Sequence, residues 1–244
     1  MTKSELTLWA AVGVLAYMIS DVAHEVMGHG GAALLLGSKI TLLTSVYFKS
    51  VPGNIFVDLG GPIASLLTGV LALVMLKNMK QRFAMLLFVH ISLYNLFWFA
   101  GTVLQSSVSL NGDWTFAIKE LNVGAYQGFI LIVAGLSCYL FIVRLFSRTL
   151  APMAKESGLS REDIVMPFLF AALSAFAAGL FFEQARWQAG VEGLLEMTAS
   201  VPILFLRLSS SPIKRNDDIH YGYGLVVGIL YLIFCLTLGR GIRF

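Results

Sequence analysis

The sequence predicts an all-α polytopic membrane protein: six or seven transmembrane helices, with a small membrane-associated β-hairpin over about 40–59 after the first helix. Three observations carry this expectation. The chain of 244 residues is 57% hydrophobic and only 13% charged, whereas the surface of a soluble domain needs about a quarter charged residues. Its apolar residues fall into runs of membrane length separated by short connections. One connection is instead rich in β-branched and aromatic residues.

The first run, 6–36, sits behind Lys3 and superficially resembles a signal peptide. No small-residue cleavage site follows it, and Asp21, His24 and Glu25 come at once, so a retained, tilted first span is expected. Further spans are expected over 61–76, 83–104, 124–146, 165–182 and 221–238. A seventh candidate, 185–206, contains Arg186, Glu192, Glu196 and Pro202, and spanning, interfacial and broken forms all remain open for it. The spans leave room for one membrane-embedded domain, 1–244, and for no large soluble one.

Net charge is +3, too small a balance to suggest a nucleic-acid partner, and the bases lie where topology signals belong. A cytoplasmic amino terminus with seven spans collects most Lys and Arg on the inner side; with six, the cluster near Lys214 changes side. Cys138 and Cys235 lie within apolar runs and are expected to be buried free thiols.

Between the first two spans, 40–49 and 55–59 read as strands, with Val51-Pro52-Gly53-Asn54 as the turn between them. Hydrocarbon cannot satisfy the open edges of such a hairpin. Protein must cover it, or it must line a wet cavity or pair with an added strand.

The chemistry concentrates in Asp21-Val22-Ala23-His24-Glu25-Val26-Met27-Gly28-His29-Gly30-Gly31. Four ionisable residues within nine positions of an apolar span are costly, and such residues usually face a cavity, a metal or one another. Two imidazoles are good zinc ligands, and a neighbouring carboxylate that does not bind the metal can take a proton from the water it activates. The competing reading is a set of hydrogen bonds between helices.

His24 and His29 are five apart, roughly 140° round a regular helix at about 100° per residue. A regular α-helix would therefore hold them on different faces. One extra residue in a turn restores a common face, so a π-bulge or break is expected near Met27 and Gly28, eased by Gly28, Gly30 and Gly31. The alternative pairing, Glu25 with His29, keeps helical spacing and frees His24 for another role. Asp21, three residues before His24, is placed to orient that imidazole.

His24-Glu25-Val26-Met27-Gly28-His29 resembles the H-E-x-G-H segment of the site-2 protease family of intramembrane zinc metalloproteases, with one residue inserted. The hairpin resembles that family's membrane-associated strands, and Leu59-Gly60-Gly61-Pro62-Ile63-Ala64-Ser65-Leu66 is similar to its G-P-x-x-N segment, with Ser65 where the family carries Asn. Asn111-Gly112-Asp113-Trp114 is a loose counterpart of the segment supplying the family's Asp ligand. The likeness covers residues 20 to 115.

The resemblance implies Zn2+ held by His24, His29 and Asp113, with Glu25 as the general base of a peptide hydrolase acting on transmembrane or membrane-adjacent segments. From its residues alone, Asp113 serves equally well as a helix cap, and His90 is the reserve ligand. Gly61, Pro62, Asn54 and Ser65 are expected to contact substrate, the first two through free N–H groups at a helix start. The expected partners are a membrane protein or peptide substrate and the lipid bilayer. A lipid amide or ester hydrolase, a metal transporter and a non-catalytic relative stay open as alternatives.

Overall fold

The computed structural model describes residues 2–109, 112–121, 124–206 and 222–244. Asn111 and the segment holding Arg207, Lys214, Arg215, His220 and Tyr221 lie outside the described residues. Among the described residues six helical stretches are long and apolar enough to cross a membrane, Lys3–Leu35, Ile55–Leu76, Arg82–Val108, Gln127–Ser157, Glu162–Gly179 and Gly222–Gly239, and they mark the chain as a membrane protein. Each matches an expected span.

The first stretch opens with α1 (Lys3–Asp21), whose Thr2 and Glu5 form a reciprocal capping box. It passes without interruption into a π-helical segment, Val22–Gly30, and ends as α2 (Gly31–Leu35). Gly37, at φ 71°, turns the chain out of the helix. Two short strands follow, β1 (Lys39–Leu43) and β2 (Phe48–Val51), then α3 (Ile55–Asp58) and α4 (Gly60–Leu76). Beyond them come α5 (Arg82–Val108), α6 (Asp113–Leu121), α7 (Gln127–Ser157), α8 (Glu162–Gly179), α9 (Arg186–Thr198), α10 (Gly222–Phe234) and β3 (Ile242–Arg243).

Helix α1 is the hub, packed between α5, α8 and α10, with α4 and α7 on α5 and α9 on α8. Small residues let these helices approach closely. Gly13 lies against the Pro167 backbone, and a Cβ on Gly69 would stand 2.7 Å from Leu96. A buried carboxylate ties three helices at one end: Asp163 accepts from the Trp9 indole at 2.9 Å, from Arg82 at 2.6 Å and from the Ser160 amide at 3.0 Å.

The hairpin is present, but its turn is not where expected. β1 pairs antiparallel with β2 from Lys39↔Val51 to Leu43↔Phe48, with an irregularity between Ile40 and Leu42. The turn is 44–47, where the Thr44 hydroxyl accepts from the amides of Val46 and Tyr47. Residues 55–59 are not a strand: Asn54 accepts from the Phe56 amide and starts α3. β3 pairs with the other edge of β1, giving the order β2-β1-β3.

The candidate over 185–206 is not a span. α9 has 13 residues, and the chain then enters a 3-10 turn, Val201–Phe205, that starts with Pro202 near its head. At about 1.5 Å per residue, α9 covers only about 20 Å.

Candidate metal centre

The π-helical segment brings the two imidazoles together. The i→i+5 hydrogen bonding of a π-helix gives its turns the five-residue interval separating His24 from His29, and the Gly31 amide still reaches back five residues to the Val26 carbonyl. His24 Nε2 and His29 Nε2 lie 3.3 Å apart. Both rings are buried.

Glycine makes room for this. A Cβ on Gly28 would stand 2.6 Å from the Gly61 Cα, and one on Gly60 2.5 Å from the Gly28 carbonyl oxygen, so α4 docks on the π-helical segment backbone to backbone. Gly61 then comes to rest against the ring nitrogens themselves, where its own Cβ would lie 2.7 Å from His24 Nε2 and closer still to His29 Nε2.

Each ring is held from behind. His29 Nδ1 is 2.7 Å from the Val57 carbonyl, which can only accept, so the proton sits on Nδ1 and Nε2 presents a lone pair. His24 Nδ1 is 3.0 Å from Ser65 Oγ; with that hydroxyl accepting, His24 Nε2 also presents a lone pair. Aromatic rings fix the orientation further, Trp98 stacking on His24 at 5.2 Å and Phe48 of β2 on His29 at 5.3 Å.

Asp113, at the start of α6, completes the group. Its Oδ2 is 3.4 Å from His24 Nε2 and its Oδ1 3.7 Å from His29 Nε2. Trp114 anchors this helix to α5, donating from its ring to Thr102 and from its amide to Ser106. The Asp113 carboxylate thus faces both ring nitrogens.

Glu25 is buried beside them. Its Oε1 is 4.0 Å from His24 Nε2, farther than either Asp113 oxygen is from its nearest nitrogen, and its Oε2 has no hydrogen-bond partner among the described residues. One donor atom each from His24, Glu25 and His29 lies within 4.8 Å of the others.

These residues could hold a metal ion, and their spacing is compatible with zinc. Two nitrogens bound at 2.0–2.1 Å in tetrahedral geometry are about 3.3–3.4 Å apart, and the imidazoles already stand at that separation.

Several expected roles are redistributed. Ser65 holds His24 rather than facing substrate, and Asn54 is spent as the cap of α3. Pro62 is buried in the first turn of α4, where its ring offers no N–H. Asp21 does not orient His24: it is fully buried with neither oxygen hydrogen-bonded among the described residues, and Ser65 has taken that place. His90 is no ligand, because its Nδ1 meets the Leu86 carbonyl at 2.7 Å and its Nε2 the Ile164 carbonyl at 3.1 Å, between α5 and α8. Sequence reasoning missed Trp98, Phe48 and the Val57 carbonyl. No spacing rule links them to the histidines, although the β-branched and aromatic pattern had placed Phe48 in the adjoining strand.

In comparisons with protein-family models, curated proteins and solved structures, none matches the chain.

Proposed function

We propose that this protein is a multi-pass intramembrane zinc-dependent endopeptidase of the site-2 protease type, acting on transmembrane or membrane-adjacent peptide segments. The observation that carries the reading is the convergence of His24 Nε2, His29 Nε2 and the Asp113 carboxylate within 3.3–3.7 Å of one another, with a buried, unpartnered carboxylate oxygen of Glu25 alongside.

His24, His29 and Asp113 would hold the zinc. When bound, zinc supplies Lewis-acid polarisation of the scissile carbonyl and lowers the pKa of water. Glu25 then takes a proton at Oε2 and passes it to the leaving amine. Ser65 and the Val57 carbonyl keep the ring nitrogens pointed inward throughout, as hydrogen-bonded partners of metal-binding histidines do.

A transmembrane helix hides its amides, so the substrate must be extended before attack. The outer edge of β2 offers Phe48–Val51 for pairing with such a segment. Phe48 links that edge to the site through its stack on His29.

The test uses the full chain in lipid nanodiscs, comparing wild type with Glu25→Gln for zinc content and for cleavage of membrane-spanning peptides read by mass spectrometry. Zinc in both proteins with new peptide termini only for wild type supports the reading. A metal-free wild type, or cleavage undiminished in Glu25→Gln, overturns it.

A further inference from the structure

A second site lies at the bundle end carrying the connection from α4 to α5. A cavity of about 560 Å³ opens there between α4, α5 and α7. Leu73, Met85, Leu145 and Met153 supply apolar walls, and Lys77 and Thr149 add polar groups to the lining. Pro152 is also in the wall and leaves the Arg148 carbonyl without its helical donor, adding a polar atom to α7.

The surroundings are basic. The lining itself holds one cation and one carboxylate, Lys77 and Glu156, while Lys80 on the α4–α5 connection, Arg144, Arg148 and Lys155 on α7, and Arg161 and Glu162 at the start of α8 are also exposed, six positive to two negative in all. Arg82 is not counted, because the buried Asp163 engages it. All three helices belong to stretches of membrane-crossing length, and the hollow lies where α4 and α7 end, so its apolar walls adjoin polar and charged helix-end residues. A soluble anion would gain nothing from these walls. An amphiphile with a negative head group matches both the walls and the charge.

We propose that this cavity binds an anionic phospholipid, one acyl chain lying against Leu73, Leu145 and Met153 and the phosphate meeting Lys77 and the neighbouring Arg148. Bases flanking a pocket between membrane helices recognise lipid head groups by this combination. Glu156, the carboxylate in the lining, repels a second negative group and favours the phosphate's approach from the Lys77 side.

The test is native mass spectrometry of the full chain equilibrated with phosphatidylglycerol, phosphatidylethanolamine or phosphatidylcholine. Wild type is expected to retain one phosphatidylglycerol in preference to the other two, and excess inorganic phosphate should not displace it. The double variant Lys77→Gln/Arg148→Gln should weaken retention about 25-fold, about fivefold for each cation lost. Thr149→Phe, which fills the hollow and keeps every charge, should lose the lipid as well. Three results would overturn the proposal: equal retention of phosphatidylcholine, preference for phosphatidylethanolamine through Glu156, or displacement by phosphate. Because the lipid preference of the wild type is itself decisive, misfolding of a variant leaves the proposal open to refutation.

Discussion

Gly61→Ala tests the metal centre with one methyl group. The new Cβ would stand 2.7 Å from His24 Nε2 and closer still to His29 Nε2, roughly 0.8 Å inside the shortest comfortable carbon contact of about 3.5 Å. The nitrogens must then part beyond their 3.3 Å separation, while zinc demands about 2.0–2.1 Å to each. Disturbing only the groups behind a ligand weakens metal binding about 10–100-fold; displacing two ligands should reach at least the upper figure. With free zinc at about 100 times the wild-type Kd, binding adds about 2.7 kcal/mol to wild-type stability, and a Kd weakened 100-fold leaves about 0.4 kcal/mol. Denaturant unfolding in detergent, with zinc and with a chelator, measures both. If Gly61→Ala gains as much from zinc as wild type does, the ligand nitrogens do not converge beside Gly61 and the site is wrongly drawn.

Other expectations follow from the same geometry. Glu25→Gln should keep its zinc while peptide cleavage falls about 10²–10⁴-fold, checked by metal analysis beside a peptide assay. Ser65→Ala frees the His24 ring and should weaken zinc binding about 10–100-fold, measured by chelator competition, with Ser65→Asn restoring much of the loss. Asp113→Ala should lower zinc affinity more than His90→Ala, whose nitrogens serve α5 and α8 instead; equal losses would return His90 to the ligand set. Asp163→Asn weakens the junction of Trp9, Arg82 and Ser160 and should cost about 3 kcal/mol of stability, read from unfolding midpoints, without changing zinc content.

The spans were legible because bilayer thickness imposes a length that composition cannot disguise. The distortion at Met27 and Gly28 was legible for a different reason: two imidazoles five residues apart in an apolar helix serve one ion only if the helix is widened. Turn chemistry misled where two signals competed. Val51-Pro52-Gly53-Asn54 carries every mark of a hairpin turn, yet Thr44, a weaker signal, makes the turn through its hydroxyl, and Asn54 is used to begin α3. The supports of the rings were hidden because they are tertiary. Trp98 reaches His24 from α5 and Val57 reaches His29 through a backbone atom, which no side-chain pattern can announce.

Strand β3 occupies the flank of β1 that the hairpin alone would leave bare. A guest joining this small sheet therefore finds a berth of four residues along β2 but only two along β3. The longer berth begins at Phe48, whose ring rests on His29. Under the proposed function, lodging on that side would set the guest's backbone beside the histidine pair, and the two unequal edges would give the sheet a handedness for what it receives.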